Sequence, residues 1–187
     1  MSKLFNENSR VKIPAILHLT RLEYMYVSLK SVEQQSDTET NIYKNNFHAA
    51  INKIKGTKLT CKDIDAIIND LKNLLDAEDL GRSFYEKLFT GTALAGESVR
   101  FIDFENPENN IFEVMTEVPY RNGSDSFRPD ITIFVNDLPL AFIEVKTPDN
   151  KQGIQAEYKR MSERFSQEKY RRFANITRLM IFSNNSE

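Results

Sequence analysis

Apolar residues follow two different rhythms along the chain, and the change from one to the other divides it. From Ile13 to Phe89 they recur every three or four positions, the period of one helix face. Ile13, Ile16, Leu17 and Leu19 begin a first helix, with Pro14 tolerated in its opening turn. Tyr24 to Leu29 has strand character, because aromatics alternate there with smaller apolar residues, and Ser31 to Asp37 reads as a polar loop. Thr38 to Asn41 opens a helix with Ile42, Tyr43, Phe47, Ala50, Ile51 and Ile54 on its apolar side, ending near Gly56. Thr60 followed by Asp63 predicts a capping box for the next helix, which buries Ile64, Ile67, Ile68, Leu71 and Leu74. A third helix runs from about Asp79 to Phe89, carrying Leu80, Phe84, Leu88 and Phe89.

From Ser98 the period shortens to two. Ser98 to Phe104 and Ile111 to Pro119 read as strands separated by the turn-rich stretch 105–110, and Arg121 to Asp125 as a flexible loop. Ile131, Ile133 and Val135 then alternate with Asp130, Thr132 and Phe134, and Asn136-Asp137 supplies turn chemistry. Leu140 to Val145 is apolar throughout except for Glu144, as in a strand covered on both faces. Thr147 to Asn150 stops that strand and caps a helix with a predicted buried stripe of Ile154, Tyr158, Met161 and Phe165, and Ile176 to Phe182 forms a last strand. Strand, hairpin, helix, strand is the order of an α/β mixed sheet with a crossover helix. The expected organisation is a mainly helical N-terminal segment, 1–97, packed on an α/β core, 98–187, as one compact domain. Ending right after a strand, it reads as a fragment of a longer protein.

Composition narrows this only a little. At 187 residues with 28% charged and 40% hydrophobic side chains, the chain is globular. A net charge of −2 advertises no polyanionic partner, so any nucleic-acid contact must come from a local patch. Cys61 is the single cysteine, which excludes an internal disulfide and a cysteine zinc cage and fits a reducing cytoplasm. No signal peptide or membrane span is visible.

Charge in the apolar hairpin is the informative feature. Glu144 and Lys146 are two apart and share a face, and Asp130 heads the partner strand. Buried charges are costly unless they pair or hold an ion. Two carboxylates and an ammonium at a hairpin end suit divalent-metal phosphodiester hydrolysis. Asp130 and Glu144 would hold Mg²⁺, while Lys146 would position the nucleophile or offset transition-state charge. Asp70-Leu-Lys72 and Glu157-Tyr-Lys159 fit the same short pattern, but on helices their ends diverge by about 200°. A shared site also fixes register: Asp130 opposite Glu144 needs an odd-length connection, 136–138, or a two-residue turn corrected by a bulge.

Pro129-Asp130, thirteen residues and Glu144-Val145-Lys146 resemble the PD-(D/E)xK nuclease motif. The wording from Phe127 to Lys146, with Asn175 to Asn185, is similar to the N-terminal nuclease domain of type I restriction-modification R (restriction and translocation) subunits. That resemblance covers roughly 127–185 and implies a restriction-endonuclease-like sheet and Mg²⁺-dependent endonuclease cleavage of DNA by Asp130, Glu144 and Lys146. It further implies ATP-driven motor domains beyond this chain, and modification and specificity subunits as partners. R subunits usually carry Gln-xxx-Tyr on the helix after the catalytic lysine. Tyr158 matches its tyrosine, but Ile154 stands where the glutamine belongs, with Gln155 one position off and Gln152 two off on the other side.

Other charge is less specific. Residues 151–178 hold eight cations against three glutamates, which makes Arg160, Arg164, Lys169, Arg171 and Arg172 the candidate phosphate contacts, with a solvated helix face as the plain alternative. Glu78 and Glu86 are candidates for a third acid, with ordinary helix surface the commoner role. His18 and His48 have no metal-ligand spacing, and Gly91 to Gly96 lacks the Lys-Ser/Thr of a phosphate loop, so no nucleotide site is expected. Two other functions keep the same fold: a non-catalytic DNA-binding or docking module, and a repair or recombination nuclease.

Overall fold

The structure is a computed structural model describing residues 7–32, 36–37, 39–56, 58–94, 96–122, 125–147 and 153–184. A π-helical turn, Asn8–Lys12, runs into α1 (Ile13–Arg21), followed by β1 (Met25–Tyr26) and α2 (Leu29–Val32). Next come β2 (Ser36–Asp37), β3 (Ile42–Tyr43), α3 (Lys44–Lys55), α4 (Cys61–Leu75) and α5 (Arg82–Thr90). The hairpins β4–β5 (Thr92–Leu94, Glu97–Val99) and β7–β8 (Tyr120–Asn122, Asp125–Phe127) flank β6 (Phe112–Thr116) in sequence. The chain continues through β9 (Ile131–Val135), β10 (Leu138–Val145), α6 (Gly153–Phe165), α7 (Arg171–Ile176) and β11 (Leu179–Ser183).

Five of these strands form one sheet in the order β1-β6-β9-β10-β11. The outer pairs, β1 with β6 and β10 with β11, are parallel, and the inner pairs are antiparallel. This is the mixed sheet expected of the hairpin and crossover helix, in the restriction-endonuclease-like form that the resemblance implies. Along β10 the two faces alternate. Ala141, Ile143 and Val145 pack with Val11, Ile131 and α1, while Phe142 packs with Met161, Tyr170 and Phe173. A third apolar cluster joins Phe47, Ile64, Leu71 and Phe84 of α3–α5 to Leu138 at the turn. The capping box is present: the Asp63 N–H donates to Thr60 Oγ1 (3.2 Å), and the Thr60 N–H to Asp63 Oδ2 (2.7 Å). No helix among the described residues is long and apolar enough to cross a membrane.

Several local expectations change. Ile42 and Tyr43 are extended and α3 starts at Lys44, because the Tyr43 N–H is held by the distant Asp137 carboxylate. Of the strand expected over Ser98 to Phe104, only the start is extended. It folds back on β4 through Gly96 (φ +85°), a conformation that favours glycine. The loop expected over Arg121 to Asp125 falls on β7 and β8, apart from residues 123–124, which lie outside the described set. Ile176 ends a helix, and the last strand begins at Leu179. On α6 the buried positions are Gly153, Glu157 and Met161, whereas Tyr158 is 58% exposed and sets its ring T-shaped to Phe182. The buried stripe is one position off there because Glu157 turns inward to meet Lys146 of the hairpin.

Candidate active site

Turn and bulge together set the hairpin register. Asn136 (φ +52°) and Asp137 (φ +66°) form a two-residue turn whose positive φ angles match the twist of the strands. Leu138 faces Val135 and Pro139 faces Phe134; the register then shifts before Ala141, which faces Ile133. Leu140 is the extra residue. Its bulge turns the later side chains by one step, so that Ile143 faces Ile131 and the next pair is Glu144 and Asp130. Without the bulge the two carboxylates would lie on opposite faces. Asn136 locks the turn from inside: its Oδ1 accepts the Ile111 N–H (2.8 Å), and its Nδ2 donates to the Phe101 carbonyl (2.9 Å) and to Asn110 (2.7 Å).

Around this pair the charges alternate. Asp130 Oδ2 accepts the Val145 N–H at 3.0 Å, and its Oδ1 lies 3.0 Å from Lys12 Nζ. Lys12 also donates to Glu117, at the end of β6, and Arg128 approaches Glu117 from outside at 3.8 Å. Glu144, 4% exposed, has Lys146 Nζ at 3.9 Å. That ammonium is nearer to Glu157 of α6, at 3.3 Å, and it donates to the Val145 carbonyl at 2.9 Å. Glu157, itself 5% exposed, also accepts from Arg160 (Nε to Oε1, 2.7 Å). The Lys146 backbone is fixed by its N–H to the Ser183 carbonyl, 2.8 Å, which ties the site to the edge strand.

Protonation follows from this packing. Burial pushes Glu144 up to about 8, helped by the neighbouring Asp130 and Glu157 carboxylates and opposed by Lys146. Burial acts the same way on Asp130, but the Val145 N–H and the Lys12 ammonium outweigh it and hold that carboxyl below its usual range. Burial lowers Lys12, yet its bonds to Glu117 and Asp130 leave its pKa raised. Lys12, Arg128, Lys146 and Arg160 are thus four cations beside the four carboxylates of Glu117, Asp130, Glu144 and Glu157. Glu144 is the least well served, because its ammonium, Lys146, stands 3.9 Å away and nearer to Glu157, so it takes a proton or shares a cation with Asp130. Two adjacent carboxylate oxygens of that kind suit a hard divalent ion.

Asp130, Glu144 and Lys146, picked out from sequence, therefore converge. Lys12, Glu117 and Glu157 join them without having been singled out as site residues. Glu157 carried a signal, since it stands four before Met161 and three before Arg160, but its short pattern was set aside because Lys159 diverges; Lys159 indeed pairs with Glu163. Lys12 carried none, because its pairing depends on where α1 packs. Glu78 and Glu86 lie elsewhere, paired with Arg171 and Arg82. His18 is exposed, and His48 Nε2 is 2.7 Å from the Leu59 carbonyl oxygen. Gln155 is exposed and Gln152 lies outside the described residues.

The basic residues divide into two groups. Arg172 pairs with Asp76 and Glu39, and Arg171 with Glu78, Glu168 and the Asp76 carbonyl, so both fasten α7 to the segment after α4. Arg164 lies over the Phe127 ring at 4.7 Å, and Lys169 over Tyr170 at 5.3 Å. Arg160 stays half exposed beside Glu157.

Comparison with known proteins gives this geometry a context. The family model described as the type I restriction enzyme R protein N terminus matches residues 4–187. Two proteins of Methanocaldococcus jannaschii are similar. One, named as a type I restriction enzyme MjaIXP endonuclease subunit, is 33% identical over 165 residues, covering 79% of this chain and 16% of that protein. The other, named as a type I restriction enzyme MjaVIIIP endonuclease subunit, is 31% identical over 105 residues, covering 56% of this chain and 9% of that protein. The chain thus spans a small part of the length of these relatives.

Proposed function

Because the chain belongs to the family of type I restriction enzyme R protein N termini, we propose that its charged hairpin hydrolyses DNA phosphodiester bonds with Mg²⁺. The observation that supports this most is the bulge at Leu140, which brings Asp130 and Glu144 to one face of an otherwise apolar strand pair. Asp130 and Glu144 are the groups that hold the metal. When bound, Mg²⁺ supplies Lewis acidity toward a phosphoryl oxygen and lowers the pKa of water. Lys146 presents its ammonium beside these oxygens, where it orients the attacking water and offsets charge on the phosphorane-like transition state. Glu157 holds Lys146 from behind, and Lys12 anchors Asp130.

DNA reaches this site over α6 and the turn that follows it, where Arg160, Arg164 and Lys169 meet its phosphates. Arg171 and Arg172 contribute mainly to the local field, since their guanidiniums are engaged. In the whole protein, ATP-driven motor domains would supply movement, and modification and specificity subunits would choose the sequence. The cytoplasm, where Cys61 stays reduced, is the matching compartment.

Incubation of the chain with supercoiled plasmid tests the reading. Nicked circles should form with Mg²⁺ and not with a chelator, independently of sequence and of ATP. DNA that is retarded on a gel but stays uncut at every Mg²⁺ concentration would instead support a docking module that keeps the fold.

A further inference from the structure

Glu113, Asp137, Glu144 and Glu157 are the buried acidic side chains among the described residues. Glu144 and Glu157 have Lys146 and Arg160 within ion-pair distance. For Glu113 and Asp137 no cationic side chain stands within that distance among the described residues. These two lie at the opposite end of the same hairpin: Glu113 faces Phe134 across β6 and β9, and Asp137 is the second turn residue.

Both line a cavity of about 220 Å³ with Asn46, Met25, Ile111 and two alanines of α3. Asp137 is 1% exposed; one carboxylate oxygen accepts the Tyr43 N–H, and the other, Oδ1, is buried with no hydrogen-bond partner. Glu113 is 7% exposed, on a strand where glutamate is disfavoured. Burial pushes both carboxyls up, and the neighbouring Glu113 raises Asp137 further. The Asn46 side-chain amide donates toward the Asp137 carboxyl and partly opposes that rise. A buried carboxylate oxygen without a donor, beside a second carboxylate and an open space, lacks a positive partner.

We propose that Glu113, Asp137 and Asn46 form a second cation site, separate from the hairpin's other end, that takes one hard divalent ion with part of its water shell. Two carboxyls and one amide are too few for six-fold coordination, and the cavity leaves room for the waters that such an ion retains. Bound there, the ion ties the turn to β6 and to the start of α3, since Asp137 already grips Tyr43, the residue before that helix. The site would brace the hairpin without taking part in cleavage.

Counting bound Mn²⁺ from the amplitude of the free-ion spin-resonance signal tests this, with excess Mg²⁺ as competitor. Wild type should lose one Mg²⁺-displaceable equivalent in Asp137→Asn and one in Glu113→Gln, both compared with Glu144→Gln. If Asp137→Asn fails to fold by circular dichroism, Glu113→Gln decides alone. Should Glu144→Gln leave the count unchanged while Glu113→Gln lowers it, the second site stands and the metal assignment at Glu144 falls. A count that drops only in Glu144→Gln, or that none of the three alters, overturns the second site.

Discussion

The ammonium of Lys12 stands 3.0 Å from Oδ1 of Asp130, although more than half of the chain separates them. The helix that opens the chain thereby places a cation on the carboxylate that heads the hairpin. Removing one partner of a buried pair typically costs about 3–5 kcal/mol, because the other is left unpaired. Lys12→Ala should lose stability of that order in metal-free denaturant melts. Mg²⁺ should then restore more stability to the variant than it adds to wild type, since the ion takes over neutralisation of Asp130. An equal response to Mg²⁺ in both proteins would dissociate Lys12 from the metal-binding oxygens.

Glu144 predicts a pH dependence. Its folded pKa is raised from the ordinary 4.5 to about 8. A raised pKa means stability that is complete below the unfolded value and is lost as pH rises through the folded one. Between about pH 4.5 and 8 the metal-free protein should therefore lose stability, at up to about 1.4 kcal/mol per pH unit from this group. Glu113 and Asp137, also raised, add slopes of the same sign. Glu144→Gln should flatten the curve relative to wild type over this window, while Asp130, held low together with Asp76, Asp79 and Asp103, contributes to the fall at acid pH. Parallel curves for the two proteins would place the missing proton on another group.

Glu157 is a positioning residue on this reading, since it reaches Lys146 and not the metal oxygens. Glu157→Gln should leave Mg²⁺ affinity near the wild-type value and slow cleavage by about 100-fold, the scale of a misplaced catalytic group. Single-turnover rates beside a metal titration separate the two effects. A matching loss of metal affinity would make Glu157 a ligand instead.

The two groups of arginines should also separate. Arg160→Ala with Arg164→Ala should weaken DNA binding on every sequence and flatten the salt dependence by roughly 0.9 in log–log slope per lost contact. Arg172→Ala, which breaks the links to Asp76 and Glu39, should lower thermal stability more than it lowers DNA affinity. The reverse ranking would move the phosphate-contacting surface from α6 to α7.

What the sequence revealed of the fold depended on how local each cause was. Thr60 and Asp63 announced α4 because both halves of a capping box lie within one turn. The alternation of Ile131, Ile133 and Val135 identified β9, and the demand that Asp130 meet Glu144 left open an odd-length connection or a bulge, of which the structure has the bulge, at Leu140. Tyr43 was misread because the acceptor of its N–H, Asp137, comes from the other half of the chain. Glu157 was misread because apolar periodicity has no way to mark a buried charge whose partner, Lys146, lies on a strand. Local pattern thus showed the main helices and the central hairpin, while the short strands and the charges that complete the cluster come from long-range packing.

One measurement bears most directly on the hairpin as the catalytic centre: Mg²⁺-dependent nicking rates for wild type, Asp130→Ala, Glu144→Ala and Lys146→Ala, each shown to be folded. The three charges act as a unit here, so every single replacement should abolish nicking, and Lys146→Ala should do so while still binding metal at Asp130 and Glu144. Nicking that persists at the wild-type rate in all three variants would contradict the assignment and put the active site elsewhere in the chain.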